Sequence, residues 1–174
     1  MKSIPLFTLA SLKISALPSA IVSSGVMWLI ASGVNYFVFG QPIGVAILVG
    51  LVVLLLHWVG ELWHHYGHAW AARRVGYPMI GIRLWFFLGQ SLYPKDEPAL
   101  PGRTHITRAL GGPLFSFGLS GVAGLLCLAF AENGGVGWGL LLFVCLENLA
   151  IFSVGALIPL GFNDGTTILN WWGK

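Results

Sequence analysis

Charge is what this sequence has least of. Only nine Lys and Arg and six Asp and Glu occur among 174 residues, 9% of the chain, where an ordinary soluble domain carries about 25%. So few polar side chains cannot coat a water-facing surface, which excludes a soluble enzyme and a disordered chain. The cations are scattered or gathered in one loop, so the formal net charge of +3 speaks to membrane topology and not to a phosphate-binding face. No nucleic-acid partner is expected. Cysteine is scarce as well. Cys127 and Cys145 lie in apolar runs with neither CxxC spacing nor a nearby His, so they read as small core hydrophobes. No repeat, low-complexity tract or separate soluble domain is visible.

Apolar runs supply what charge does not. A spanning helix needs about 20 mostly apolar residues, and four segments qualify: 15–39, 42–70, 109–131 and 136–158. The expected architecture is one all-α integral membrane domain over 1–174, embedded in a lipid bilayer, with an N-terminal anchor helix in 1–40 and a core in 42–170. Residues 1–12 are too weakly apolar to span. The first apolar segment is longer than a signal-peptide core and lacks a small-x-small cleavage site, so it reads as a retained anchor. In a four-helix arrangement all nine basic residues fall on one side. Arg73, Arg74, Arg83, Lys95, Arg103 and Arg108 lie in residues 73–108, and Lys2, Lys13 and Lys174 lie near the ends. That bias places both termini and the long loop in the cytoplasm. Within the loop, 80–86 and 88–93 read as short β-type runs between Pro78 and Pro94, a small hairpin at the membrane surface.

Four of the five histidines crowd into twelve residues: His57, His64, His65 and His68, with Glu61 among them. At 3.6 residues per turn these five side chains share an arc of about 100°. A polar stripe at membrane depth is costly and marks function; the plainer reading is that the helix has already left the hydrocarbon and the stripe is wet. His64 and His68 have the i, i+4 spacing with which two imidazoles share one tetrahedral metal. Zinc would need a third ligand. Asp164, after Pro159 and on the same side of the membrane as the end of the second helix, completes a His, His, Asp set with one open position. Taken alone, Asp164-Gly165 would read as a turn.

In these residues the chain resembles the site-2 proteases, intramembrane zinc metalloproteases. The resemblance spans about residues 55–170 and rests on three matches. His64-His65-Tyr66-Gly67-His68, followed by small and basic residues, is similar to the family's HExxH helix. Gly112-Pro113 opens the third helix as the family's Gly-Pro step does. Pro159 through Asp164-Gly165 fits the terminal Pro-x-x-x-x-Asp-Gly motif. The resemblance implies a zinc site on His64, His68 and Asp164 and a transmembrane protein substrate. It also sharpens three departures. His65 stands where the family has the Glu that acts as general base, Ala156 where an Asn is usual, and Thr166 where Gly is common. With that Glu missing, His65 or Glu61 is the only candidate base, and a protease that is weakly active or inactive is expected.

The alternative is a non-catalytic accessory or scaffold subunit that uses the same groove to hold a partner in a larger membrane complex. A third and weaker reading has His57 or His65 ligating a haem or chlorophyll-type metal, although no CxxCH supports it. Glu147, mid-helix, should be protonated, paired with a histidine of the second helix, or facing a polar cavity. Asn148 beside it has the wrong offset for a substrate contact. Gly118, Gly121 and Gly124 suggest close helix packing.

Overall fold

The structure, a computed structural model, describes residues 2–174. Its elements run β1 (Ile4–Leu9), β2 (Leu12–Ala16), α1 (Pro18–Phe37), α2 (Ile43–Arg74), β3 (Gly81–Trp85), β4 (Leu88–Leu92), α3 (Gly102–Ala129), α4 (Gly135–Leu149) and α5 (Asp164–Trp171). A π-helical segment, Ala150–Gly155, continues α4. Four helical stretches are long and apolar enough to cross a membrane: Pro18–Phe37, Ile43–Arg74, Gly102–Ala129 and Gly135–Gly155. Their outer surfaces carry exposed Val22, Leu29, Leu55, Leu125 and Leu128, the apolar exterior that a lipid environment requires and water does not tolerate.

One element was not foreseen. The strands form a four-stranded sheet in the order β1-β2-β3-β4 rather than a lone hairpin, which corrects the all-α assignment. Residues 4–16, placed above within the N-terminal anchor, are strands, and the helix begins only at Pro18. β1 and β2 pair antiparallel through a two-residue turn in which Ala10 and Ser11 both have positive φ. Such turns favour Asn-Gly; here the Arg73 guanidinium donates to the Ala10 carbonyl and holds the strained turn in place. β2 then pairs parallel with β3, Lys13 opposite Gly81 through Ala16 opposite Leu84. That pairing puts the N-terminal hairpin and the long loop on one side of the molecule. β3 and β4 form the hairpin expected in the loop.

One face of the sheet is the core. Leu12, Ile14 and Ala16 of β2 and Ile82 and Leu84 of β3 pack with Met79 on Ala69 and Ala72 of α2 and on Ala20 of α1. Alternation along the strands therefore sends Lys13, Ser15, Arg83 and Trp85 to the opposite face. The sheet caps the end of α2, whose 32 residues span about 48 Å and overrun the roughly 30 Å hydrocarbon core.

Helices α2 and α3 cross at Gly67 and Gly111. A Cβ at Gly67 would lie 2.8 Å from Phe115 Cβ, and one at Gly111 would lie 2.7 Å from Ala71 Cβ. The stripe singled out in the sequence is different: nothing lies within 4 Å of a Cβ at Gly118 or Gly121, and Gly124 meets only Cys145 Sγ at 3.3 Å. Close packing therefore belongs to Gly67 and Gly111, one residue before His68 and one before Gly112. Gly67→Leu should destabilise the protein by about 1–3 kcal/mol, the usual cost of overpacking, while Gly121→Leu should stay within about 0.5 kcal/mol. Thermal unfolding of both variants in detergent checks the contrast.

Candidate metal centre

The ionisable stripe of α2 is buried within the protein: His57, Glu61, His64, His65 and His68 are all buried. It divides into two rows. His57, Glu61 and His65, at i, i+4 and i+8, face the β3–β4 hairpin. His57 Nε2 donates to the Phe87 carbonyl (2.9 Å), Gly89 N–H donates to Glu61 Oε1, and His65 Nδ1 bonds Ser91 Oγ (2.9 Å). Four helical residues rise about 6.0 Å and two strand residues about 6.8 Å, so every second residue from Phe87 to Ser91 meets every fourth residue of the helix. A Cβ at Gly89 would lie 2.5 Å from His65 Cδ2 and 3.0 Å from Glu61 Oε1, which is why the middle rung needs glycine.

The second row, His64 and His68, meets Asp164 at the first turn of α5. His64 Nε2 and His68 Nε2 lie 3.3 and 3.4 Å from Asp164 Oδ2 and 3.0 Å from each other. Ligand atoms about 2.0–2.1 Å from a tetrahedral zinc stand about 3.3 Å apart, so the donor set has the right dimensions. The outer nitrogens are anchored. His68 Nδ1 donates to the Arg108 carbonyl (2.8 Å), and His64 Nδ1 bonds Ser116 Oγ (3.2 Å). His68 Nε2, His64 Nε2 and an Asp164 carboxylate oxygen thus converge on one point, close enough to share a proton or a cation. Burial alone would raise the Asp164 carboxyl, but His68 and His64 outweigh it and hold it well below the usual carboxylate range.

Local sequence explains how these groups are brought together. Pro113 interrupts the hydrogen-bond ladder of α3, and a Cβ at Gly112 would come within 2.6 Å of His64 Nε2, so the Gly-Pro step lets α3 pass directly behind the imidazoles. The π-helical segment after α4 sends Ser153 Oγ to the Pro113 carbonyl (3.1 Å). Asn163 caps α5, its Oδ1 accepting from the Thr166 and Leu160 amides. Gly165 packs so tightly that a Cβ would lie 2.5 Å from the Leu157 carbonyl carbon. Asp164 is thus held at a helix start whose position is set by its neighbours on both sides.

His65 lies beside the cluster, its ring centroid 5.4 Å from those of His64 and His68. Its Nε2 is 3.3 Å from Glu61 Oε1, so each ring nitrogen faces a polar partner. The same holds for His57, whose Nδ1 lies 2.7 Å from Glu147 Oε1. Of the three states open to Glu147 from the sequence, pairing with the second helix is the one found. Because His57 Nε2–H is committed to Phe87, the Nδ1 contact requires a further proton shared by the pair. The ring nitrogens of His57 face Phe87 and Glu147, and those of His65 face Ser91 and Glu61. Asn148, almost fully buried, donates to the Val144 carbonyl and packs against Gly60.

A cavity of about 990 Å³ opens onto the cluster, lined by β4, by Tyr93, Arg108 and Ala156, and by residues leading into α5. Ala156, noted in the sequence for its missing amide, stands on this wall. Buried Arg108 forks onto Glu97 through both terminal nitrogens, donates to the Tyr77 carbonyl (2.6 Å) and stacks on Tyr93 with its Cζ 4.0 Å from the ring centre. It straps the long loop beside the carbonyl that orients His68. Sequence reasoning missed Ser91, Ser116 and Arg108. Gly112-Pro113 was the available clue to the contacts behind the metal row; a lone Ser or Arg far along the chain carries no such mark.

No family model matches the sequence, and no curated protein matches it. The fold is similar to that of a solved structure, the site-2 protease from Methanocaldococcus jannaschii, with a TM-score of 0.67 and 23% sequence identity over 97% of this chain and 70% of that one. At that identity the likeness is one of fold.

If the donors hold a metal, the purified protein should contain about one zinc per chain and His68→Ala should lose it. Ser116→Ala, which removes only the group behind His64, should keep the site but weaken zinc about 10–100-fold. Elemental analysis and competitive chelation measure both.

Proposed function

We propose that this chain is a multi-pass membrane homologue of the site-2 metalloproteases whose turnover is weak or absent, because its general base has been exchanged for His65. One observation carries the reading: the His65 ring is held between Ser91 Oγ, 2.9 Å from Nδ1, and Glu61 Oε1, 3.3 Å from Nε2, so each nitrogen already faces a polar partner within the fold. Glu61, the other candidate base, accepts from Gly89 N–H and faces His65. The donor dimensions fit zinc, with His64, His68 and Asp164 as the holders. When bound, zinc supplies Lewis acidity toward a peptide carbonyl and toward water.

The chain's own groups do the rest. The Arg108 carbonyl and Ser116 orient the two imidazoles, and the cavity is large enough to take an unwound segment of a transmembrane protein. Removing a general base typically costs about 10²–10⁴-fold in rate, enough to reduce a protease to a residual one. The committed state of His65 also favours a second reading, a non-catalytic accessory or scaffold subunit that holds a partner in the same cavity. The two readings share the lipid bilayer as their setting, with both termini and the long loop cytoplasmic by the distribution of basic residues.

His65→Glu separates them. The wild type should cut an unstable transmembrane substrate slowly or not at all. The variant should gain about tenfold or more, and His64→Ala added to it should abolish the gain. A wild type that cuts efficiently and loses activity on His65→Glu overturns the assignment.

The topology has its own test. In a background with both native cysteines replaced by Ser, Lys95→Cys should resist a membrane-impermeant thiol reagent applied to intact cells, whereas Asn133→Cys should react.

A further inference from the structure

Every charged side chain lining the main cavity has a counter-charge or a committed role, except one. Asp164 faces His64 and His68, Glu61 faces His65, and Arg108 is forked onto Glu97. Arg83 has no ion-pair or hydrogen-bond partner among the described residues, and its Nε is buried without one. A half-buried guanidinium left this way loses hydration and regains nothing within the chain.

Its placement is equally particular. Arg83 stands on the sheet face opposite the core, between Ser15 of β2 and Gln90 of β4. It is the one residue common to the linings of two cavities. The first holds the metal row. The second, about 1000 Å³, is lined by Lys13, Arg73 and Arg83 with Ser3, Ser11 and Ser15 and has no acidic residue. Arg73 is occupied by the Ala10 carbonyl. Arg83 therefore presents positive charge at the junction of the two cavities, on the wall of the one that holds the metal row.

We propose that Arg83 is a specificity-determining residue that pairs with an acidic side chain, Asp or Glu, in the protein segment this cavity receives. The inference rests on the reading of the cavity as a substrate or partner groove and names what that groove selects. A guanidinium suits the task because its planar fork matches a carboxylate in two parallel hydrogen bonds. Its lack of an internal partner means that no existing bond is broken on binding. The same site should reject a segment that brings Lys to this point, since two cations would be left unpaired in a poorly hydrated pocket.

Binding can be measured on the full chain in phosphatidylcholine nanodiscs, with a fluorescent Leu/Ala transmembrane peptide flanked by Glu and its counterpart flanked by Lys. The wild type should prefer the Glu peptide by about tenfold or more. Arg83→Glu should invert the preference, and Arg83→Met should abolish it with an unchanged melting temperature, since Arg83 holds no bond in the fold. Arg103→Glu alters net charge equally at an exposed position outside the cavity and should leave the preference intact. An equal preference in the wild type and both Arg83 variants overturns the proposal, as does an equal loss in Arg103→Glu. Discrimination that a soluble anionic headgroup, glycerophosphoglycerol, abolishes in the unchanged phosphatidylcholine nanodiscs assigns Arg83 to anionic lipid headgroups and overturns it too. Cleavage by His65→Glu, followed in the same samples, reports on the protease reading separately: discrimination without cleavage removes that reading and keeps Arg83, and cleavage without discrimination does the reverse.

Discussion

The structure depends on the match in pitch between one face of α2 and one edge of β4. Helical residues four apart and strand residues two apart advance by nearly the same distance, so His57, Glu61 and His65 engage Phe87, Gly89 and Ser91 in turn. Outward-facing backbone groups of an edge strand are a liability wherever water is scarce. Here a row of ionisable side chains satisfies them, and the strand in turn satisfies the side chains. The hairpin is thereby fixed as a wall of the cavity, and with it the sheet that carries Arg83.

That arrangement has a chemical consequence. Within that row His65 is held between Ser91 and Glu61 while its ring stands beside those of His64 and His68. The neighbouring row is different. His64, His68 and Asp164 turn one ligand atom each toward a common point, the kind of cluster that a cation would tie together. Two adjacent faces of one helix thus serve opposite ends, one closing the fold and the other converging ligand atoms.

Much of this was legible beforehand. The four apolar stretches were found to within several residues at their ends because hydrocarbon thickness imposes a length that composition alone reveals. The pair His64 and His68 was legible because helical spacing is rigid, and Asp164 because the chain must return to the same side of the membrane. Other features left no mark. The Ala10-Ser11 turn lacks the glycine that usually announces a hairpin, so β1 and β2 read as a weak leader to the first helix. The glycines that form the close crossing, Gly67 and Gly111, stand among residues already assigned to chemistry, while Gly118 and Gly121 imitate a packing face but meet nothing.

By itself the sequence determined the number of long apolar helices, the hairpin in the long loop, and which three side chains could form a metal-binding group, since each follows from a local period or an obligatory length. Only the tertiary structure decided the partners of the remaining ionisable groups. Glu147 meets His57 across 90 residues of chain, and Ser91 meets His65 across 26. Parallel pairing of β2 with β3 joins segments more than sixty residues apart. No periodicity encodes contacts at such separations, because they arise from how rigid elements pack once formed. The state of His65 and the isolation of Arg83 are of this kind: a side chain's type is written in the sequence, but whether it has a partner depends on everything folded around it.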